Sequence, residues 1–187
     1  MAETEDVLLA SAQRGDQNAF AALVRRYQAM VYNLAFSLLG EAEAAADAAQ
    51  DAFLRAWRGL PTFAGNSSFS TWLYTIAHRT SLTISTRSRR TVPLAEVPEP
   101  RAGEDSDPFT VAARNLEAER LRRALLQLPA HARTALVLYH FHNRSYEEIA
   151  QITGEPLGTV RTRLHRGRAR LREILMEKEC ERECAAR

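Results

Sequence analysis

Phe20, Leu23, Val24, Tyr27, Val31, Leu34, Ala35, Leu38 and Leu39 recur at spacings of three and four. That is the 3.6-residue period of an amphipathic helix. Asp16 offers an N-cap before it, and Gly40 ends it. A shorter helix is predicted over about Glu3–Arg14, stopping at Gly15. Glu41–Gly59 reads as a third, alanine-rich on one side and carrying Glu43, Asp47, Gln50 and Asp51 on another. A fourth starts near Ser68 or Ser70 and sets Phe69, Trp72, Leu73, Ile76 and Ala77 on one face. Its end, Thr80–Arg90, is rich in Ser and β-branched residues and is a poor helix by propensity, so packing or a ligand must hold it.

The second half predicts four more helices. Phe109–Gln127 directs Leu116, Leu121, Leu125 and Leu128 inward. Pro129 suits the first position of a helix carrying Ala132, Ala135, Leu136 and Tyr139. A short helix follows at Ser145–Thr153, then a long one from Pro156 to about Glu179. No segment alternates as a strand. Between the two sets, Thr91–Asp107 holds Pro93, Pro98, Pro100, Gly103 and five acids, with no helical period. Such a segment buries too little apolar surface to fold alone. The expected fold is all-α: two small helical domains, 1–90 and 109–179, joined by a flexible, acidic, Pro-containing linker at 91–108. The second contains a helix-turn-helix, and 180–187 form a tail. Fully extended, the linker reaches roughly 55 Å.

Composition narrows the function. A chain of 187 residues fits one domain or two small ones. No apolar run approaches the ~18 residues of a membrane span, so membrane insertion is not expected. Glu3, Glu5 and Asp6 stand where a secretory signal would be basic and then apolar. Cys180 and Cys184 provide no disulfide framework, which makes the cytosol the expected compartment. Net charge is +2 but uneven: residues 109–187 carry 15 bases and 10 acids, and Lys178 is the only lysine. Arginine favours phosphate and base-edge contacts, which points towards nucleic acid.

The segment SYEEIAQITGEPLGTVRTRLHRGR (Ser145–Arg168) is the strongest local signal. Ser145 and Glu148 form an S-x-x-E capping box. Ala150 is small where two helices cross, Gly154 supplies a tight turn, and Val160 points back into the pair. The second helix then presents Thr159, Arg161, Thr162, Arg163, His165 and Arg166. Arg161, Thr162, His165 and Arg166 share a sector suited to a major groove, where Arg contacts guanine O6 and N7. Six arginines and no acid lie between Thr159 and Arg172, an arrangement that would repel itself on an isolated helix.

In the first domain, Phe63–Thr83 mixes Phe63, Phe69, Trp72 and Tyr74 with Ser, Asn and Thr. Rings beside hydroxyls and arginines suit unstacked bases. Trp72 shares the face of Phe69 and Ile76 and is read as core. The candidate contacts are Asn66, Ser67 and Ser68 in the polar loop, then His78, Arg79, Ser81 and Leu82 on the outer helix face, and Arg87.

These stretches together resemble the extracytoplasmic-function (ECF) family of bacterial sigma factors. The likeness lies in GDQNAFAALVRRYQAMVYNLAFSLLG (Gly15–Gly40), DAAQDAFLRAWRGLPTF (Asp47–Phe63), SSFSTWLYTIA (Ser67–Ala77) and SYEEIAQITGEPLGTVRTRLHRGRARLRE (Ser145–Glu173), in that order. The resemblance implies a promoter-specificity subunit of RNA polymerase. Its first domain would bind the β′ clamp helices and open the −10 element. Its second would hold the −35 element and the β-flap. Partners would be polymerase core, promoter DNA as duplex and single strand, and an anti-sigma factor. The family's clamp-binding surface maps onto Asp47, Gln50, Asp51, Leu54 and Trp57. The first four share one face at i, i+3, i+4, i+7, an acidic-amide stripe unmatched by nearby bases. Where the family usually has Asn, or a similar small polar residue, this chain has Arg79, which implies a relaxed or altered −10 preference.

The competing reading is a conventional helix-turn-helix regulator that binds duplex DNA without polymerase. A helical interaction protein would lack salt-sensitive DNA binding. No Gly-rich phosphate loop, metal-ligand cluster or triad spacing is present, so the expectation is a non-enzyme with no cofactor and no metal. Cys180 and Cys184, two thiols alone, do not complete a zinc site.

Overall fold

The computed structural model describes the backbone at residues 4–88 and 108–185, with side chains at 4–86 and 116–177. Residues 91–107 of the expected linker thus lie outside the described residues, as do the side chains of Arg87, Cys180 and Cys184, while Pro108 opens the next helix. The described elements are helical: α1 Glu5–Gln13, α2 Gln17–Leu39, α3 Ala42–Gly59, a 3-10 turn Leu60–Thr62, α4 Phe69–Ser88, α5 Pro108–Leu126, α6 Ala130–His140, α7 Tyr146–Thr153 and α8 Leu157–Ala185.

Local chemistry sets most of these ends. The Asp16 carboxylate accepts from the backbone N–H of Asn18 at 2.8 Å and of Ala19 at 3.2 Å, satisfying donors that no helical carbonyl reaches. Gly40 closes α2 at φ +82°. Pro129 sits one residue before α6 rather than inside it. α8 runs through Ala185, beyond the expected end at Glu179. The hydroxyl-rich end of α4 is held helical by packing, Thr80 and Ser81 being 2% and 0% exposed, and hydroxyls along it are satisfied by backbone carbonyls one turn back. Ser81 donates to the Ala77 carbonyl at 2.8 Å and Thr83 to that of Arg79 at 2.9 Å.

The inner side of α3 is a stripe of methyls. Ala45, Ala48, Ala52 and Ala56 are all buried, which lets α3 lie close against α2 and α4. Around them sit Leu23, Leu34, Leu60 and Leu73, with no more than 1% exposure each. A ring cluster closes one end, with Phe63 5.0 Å and Phe69 5.7 Å from Trp72. In the second domain Leu128, Leu136, Leu138, Ile149, Ile152, Val160 and Leu164 form the core. Leu116, expected inward, is 72% exposed. The two domains pack on each other: α2 and α4 meet α5, α6 and α7.

Candidate nucleic-acid interface

The helix-turn-helix is built as its residues dictate. The Ser145 hydroxyl accepts from the Glu148 N–H at 3.1 Å, and Glu148 Oε2 accepts from the Ser145 N–H at 2.8 Å. Arg144 adds a 2.8 Å contact to the same carboxylate. Burial works to raise the Glu148 pKa, but these hydrogen bonds outweigh it and hold the group below its ordinary value. Gly154 turns the chain at φ +72°, and Val160 and Leu164 of α8 are buried in the pair.

On α8, Arg161, Thr162, His165 and Arg166 are exposed along one side, while Thr159 is half-buried. Among the described residues, Arg161 and Arg166 have no ion-pair partner. Arg163 departs from the expectation. It is half-buried and donates through Nε to both oxygens of Glu155, at 2.7 and 3.0 Å. Glu155 also lies 3.4 Å from His131 Nδ1. Arg163 therefore ties α8 to its own turn, and an acid outside the six-arginine stretch offsets one of its six charges. Beyond it, Arg168 stacks on Tyr139 at 5.0 Å and Arg170 pairs with Glu173 at 2.9 Å.

In the first domain, Asn66 and Ser68 are exposed and Ser67 half-buried, after Gly65 turns at φ +72°. Ser68 caps α4, accepting from the Thr71 N–H at 3.2 Å. The outer face expected of α4 is divided. Arg79 is exposed and Leu82 half-buried, but His78 is 3% and Ser81 0% exposed. That corrects the expectation for His78 and Ser81: the stripe through Tyr74, His78 and Ser81 is covered by tertiary packing. Burial lowers the His78 pKa to about 4, with His131 and Arg79 adding to the effect and Glu155 opposing it.

A third surface lies across α2 and α3. Asp47 and Gln50 are exposed and Leu54 is 50% exposed. Trp57 is half-buried, its ring 4.8 Å from Phe20. Asp51 is not unmatched, since Arg55 donates to it at 2.9 Å one turn on. Gln17, Phe20, Val24 and Phe53 join Gln50, Leu54 and Trp57 around a groove of about 390 Å³. Phe20 packs against the core, as the helical period predicts, and both it and Val24 also line the groove. The ring pair of Phe20 with Trp57 closes one part of that wall.

Residues 23–91 match the family description Sigma-70 region 2, and residues 118–171 match Sigma-70, region 4. The RNA polymerase sigma-H factor of Pseudomonas aeruginosa is 36% identical over 186 residues, spanning 92% of this chain and 94% of the relative. The ECF RNA polymerase sigma factor SigW of Bacillus subtilis is 37% identical over 179 residues, spanning 88% and 93%. The chain belongs to the ECF sigma factors. The sigma factor also resembles RpoE of Bartonella quintana, solved as a co-crystal with the anti-sigma factor NepR, at a TM-score of 0.67 and 27% identity, covering 84% of this chain and 96% of that one. An ECF sigma factor directs RNA polymerase to promoters and belongs to the transcription-initiation factors. The regulator that acts without polymerase is not favoured, because region 2 and region 4 both match. No described helix is long and apolar enough to cross a membrane.

Proposed function

We propose a division of the sigma factor's work among these three surfaces. Residues 1–90 form the unit that holds polymerase and the −10 element, and residues 109–179 the unit that holds the −35 element. α8 enters the −35 major groove with Arg161, Thr162, His165 and Arg166, Thr159 lying at its edge. The uncovered row of Arg161, His165 and Arg166 carries this reading: three cationic or polar donors on one side of a helix, set by a rigid turn, match duplex edges and phosphates. Arg163 supports the row by fixing the turn.

At −10, Asn66, Ser67 and Ser68 with Arg79 and Leu82 face the separated strand. Arg79 stacks on a base or holds phosphate, and it makes no Asn-type bidentate pair. The α2–α3 groove takes the β′ clamp helices. Leu54 and Trp57 supply apolar contact there, flanked by Asp47, Gln50 and Asp51. The β-flap meets the second domain. An anti-sigma factor is an expected partner, the Bartonella protein being co-crystallised with the anti-sigma factor NepR. The sigma factor works in the cytoplasm beside polymerase and acts by binding, without catalysing a reaction itself.

Run-off transcription with purified core polymerase on a promoter library tests the reading. The expected result is initiation at a defined subset of promoters. Duplex binding with no stimulation of core would overturn it in favour of a conventional regulator.

A further inference from the structure

Arg168 stands seven positions after Arg161 and three after His165, on the same side of α8. Arg172 continues that side one turn on, and both are exposed. Neither has an ion-pair partner among the described residues, whereas Arg163 and Arg170 beside them do. Arg168 is nevertheless held in place. Its guanidinium lies over the Tyr139 ring of α6, 5.0 Å from the centre, and its Nε donates to His140 Nε2 at 3.3 Å. Its terminal nitrogens make no hydrogen bond among the described residues. Tyr139 also meets His140 edge-on at 4.8 Å and Tyr146 of α7 at 5.3 Å. A guanidinium aimed by a ring and an imidazole, with no acid to neutralise it, is open to an anion.

Place on the helix decides which anion. Seven residues of rise put Arg168 about 10 Å beyond Arg161. The major groove is about 12 Å wide, so a helix that reads base edges at Arg161 has reached the rim of the groove at Arg168. Backbone phosphates line that rim.

His140 adds a second group to the same spot. It ends α6 and is exposed. Accepting from Arg168 leaves Nε2 without a proton, so the ring is neutral and carries its proton on Nδ1. Partial burial first, then Arg168, hold its pKa below the ordinary histidine value. Arg168 is the charged group acting on it, α7 brings Tyr146 to the cluster, and no acid pairs with the imidazole among the described residues. A phosphate oxygen between the two side chains would reverse this field. It offsets Arg168 and sets a negative charge beside the imidazole, which favours the protonated ring. Nε2 then donates to the phosphate, and Arg168 turns its own Nε–H to the same group.

We propose that Arg168 and His140 form a phosphate seat at the rim of the −35 groove, and that His140 takes up one proton from solvent as the duplex docks. The proposal rests on the −35 placement of α8 above. The test uses holoenzyme assembled from the full chain and core, titrated with a promoter duplex taken from the run-off library. Arg168→Ala should lower the slope of log affinity against log salt by about 0.9, the share of one phosphate. Arg168→Lys, which keeps the charge, should restore most of it. Across roughly pH 8 to 5, where histidines titrate, parent affinity should rise as pH falls, about tenfold for each unit by which the duplex raises the His140 pKa. His140→Gln keeps an acceptor but takes no proton, so its rise should be flatter. Imidazoles common to both chains, His165 among them, act on both curves alike. Arg168→Ala with the parent's salt slope, or His140→Gln with the parent's pH curve, would overturn the seat. A parent holoenzyme that binds a scrambled −35 duplex as tightly as the intact one would instead remove the −35 placement.

Discussion

Arg163 and Arg166 stand three positions apart on α8, yet their surroundings differ. Arg163 holds Glu155, while Arg166 is exposed with no ion pair among the described residues. Arg166→Ala should therefore leave the melting curve unchanged and weaken −35 binding by about 1–3 kcal/mol if it reads a base. Arg163→Ala should lower thermal stability and weaken DNA binding only secondarily. Calorimetry paired with anisotropy on a −35 duplex separates the two. Ser145→Ala removes half of the capping box and should cost about 1 kcal/mol in urea unfolding. Arg79 is testable at the same scale. Selection from a randomised −10 library should give a different base preference for Arg79→Ala than for the parent, and identical preferences would remove Arg79 from the contact.

At the scale of the element, what the sequence could say depended on how local the cause was. α2 and the helix-turn-helix were legible because their caps, glycine turns and apolar periods lie within a few residues of what they control. The Ser145–Glu148 box and Gly154 needed no tertiary partner. α4 was legible as a helix, but its outer face was not. His78 and Ser81 read as outward on a single helix, and only packing between elements distant in sequence covers them. The same limit applied to Arg163, whose partner Glu155 lies on the other side of a turn. Asp51 is a different miss, since Arg55 stands four residues on and was visible as a helical pair. The α2–α3 groove carries its own prediction. Leu54 is half exposed beside the partly buried Phe20, Phe53 and Trp57, so Leu54→Glu should leave helicity and melting unchanged while abolishing capture by core polymerase in a pull-down. Retained capture would place the polymerase contact elsewhere.

Across the whole molecule, two imidazoles sit at the domain contact, His78 buried and His142 half-buried. His78 is held to about 4 by burial, reinforced by His131 and Arg79 and opposed by Glu155. His142 is held to about 4 by burial and then by Arg144. An unfolded histidine titrates near 6.5, so between roughly pH 6.5 and 4 the unfolded chain binds more protons than the folded one. Stability should therefore be greatest above that window and fall as pH drops through it. Urea melts across the range should show this slope, and replacing both residues with Gln should flatten it. An equally steep slope in the double variant would assign the effect to other groups.

The methyl stripe on α3 has a consequence for inheritance. Ala45, Ala48, Ala52 and Ala56 touch neither DNA nor polymerase in this account, yet each sets how near one rod lies to the next. A single codon change to valine at any of them would wedge the rods apart and deform the surface on the opposite side. Harmful alleles should thus gather at positions that no partner ever meets, while the outer face drifts more freely.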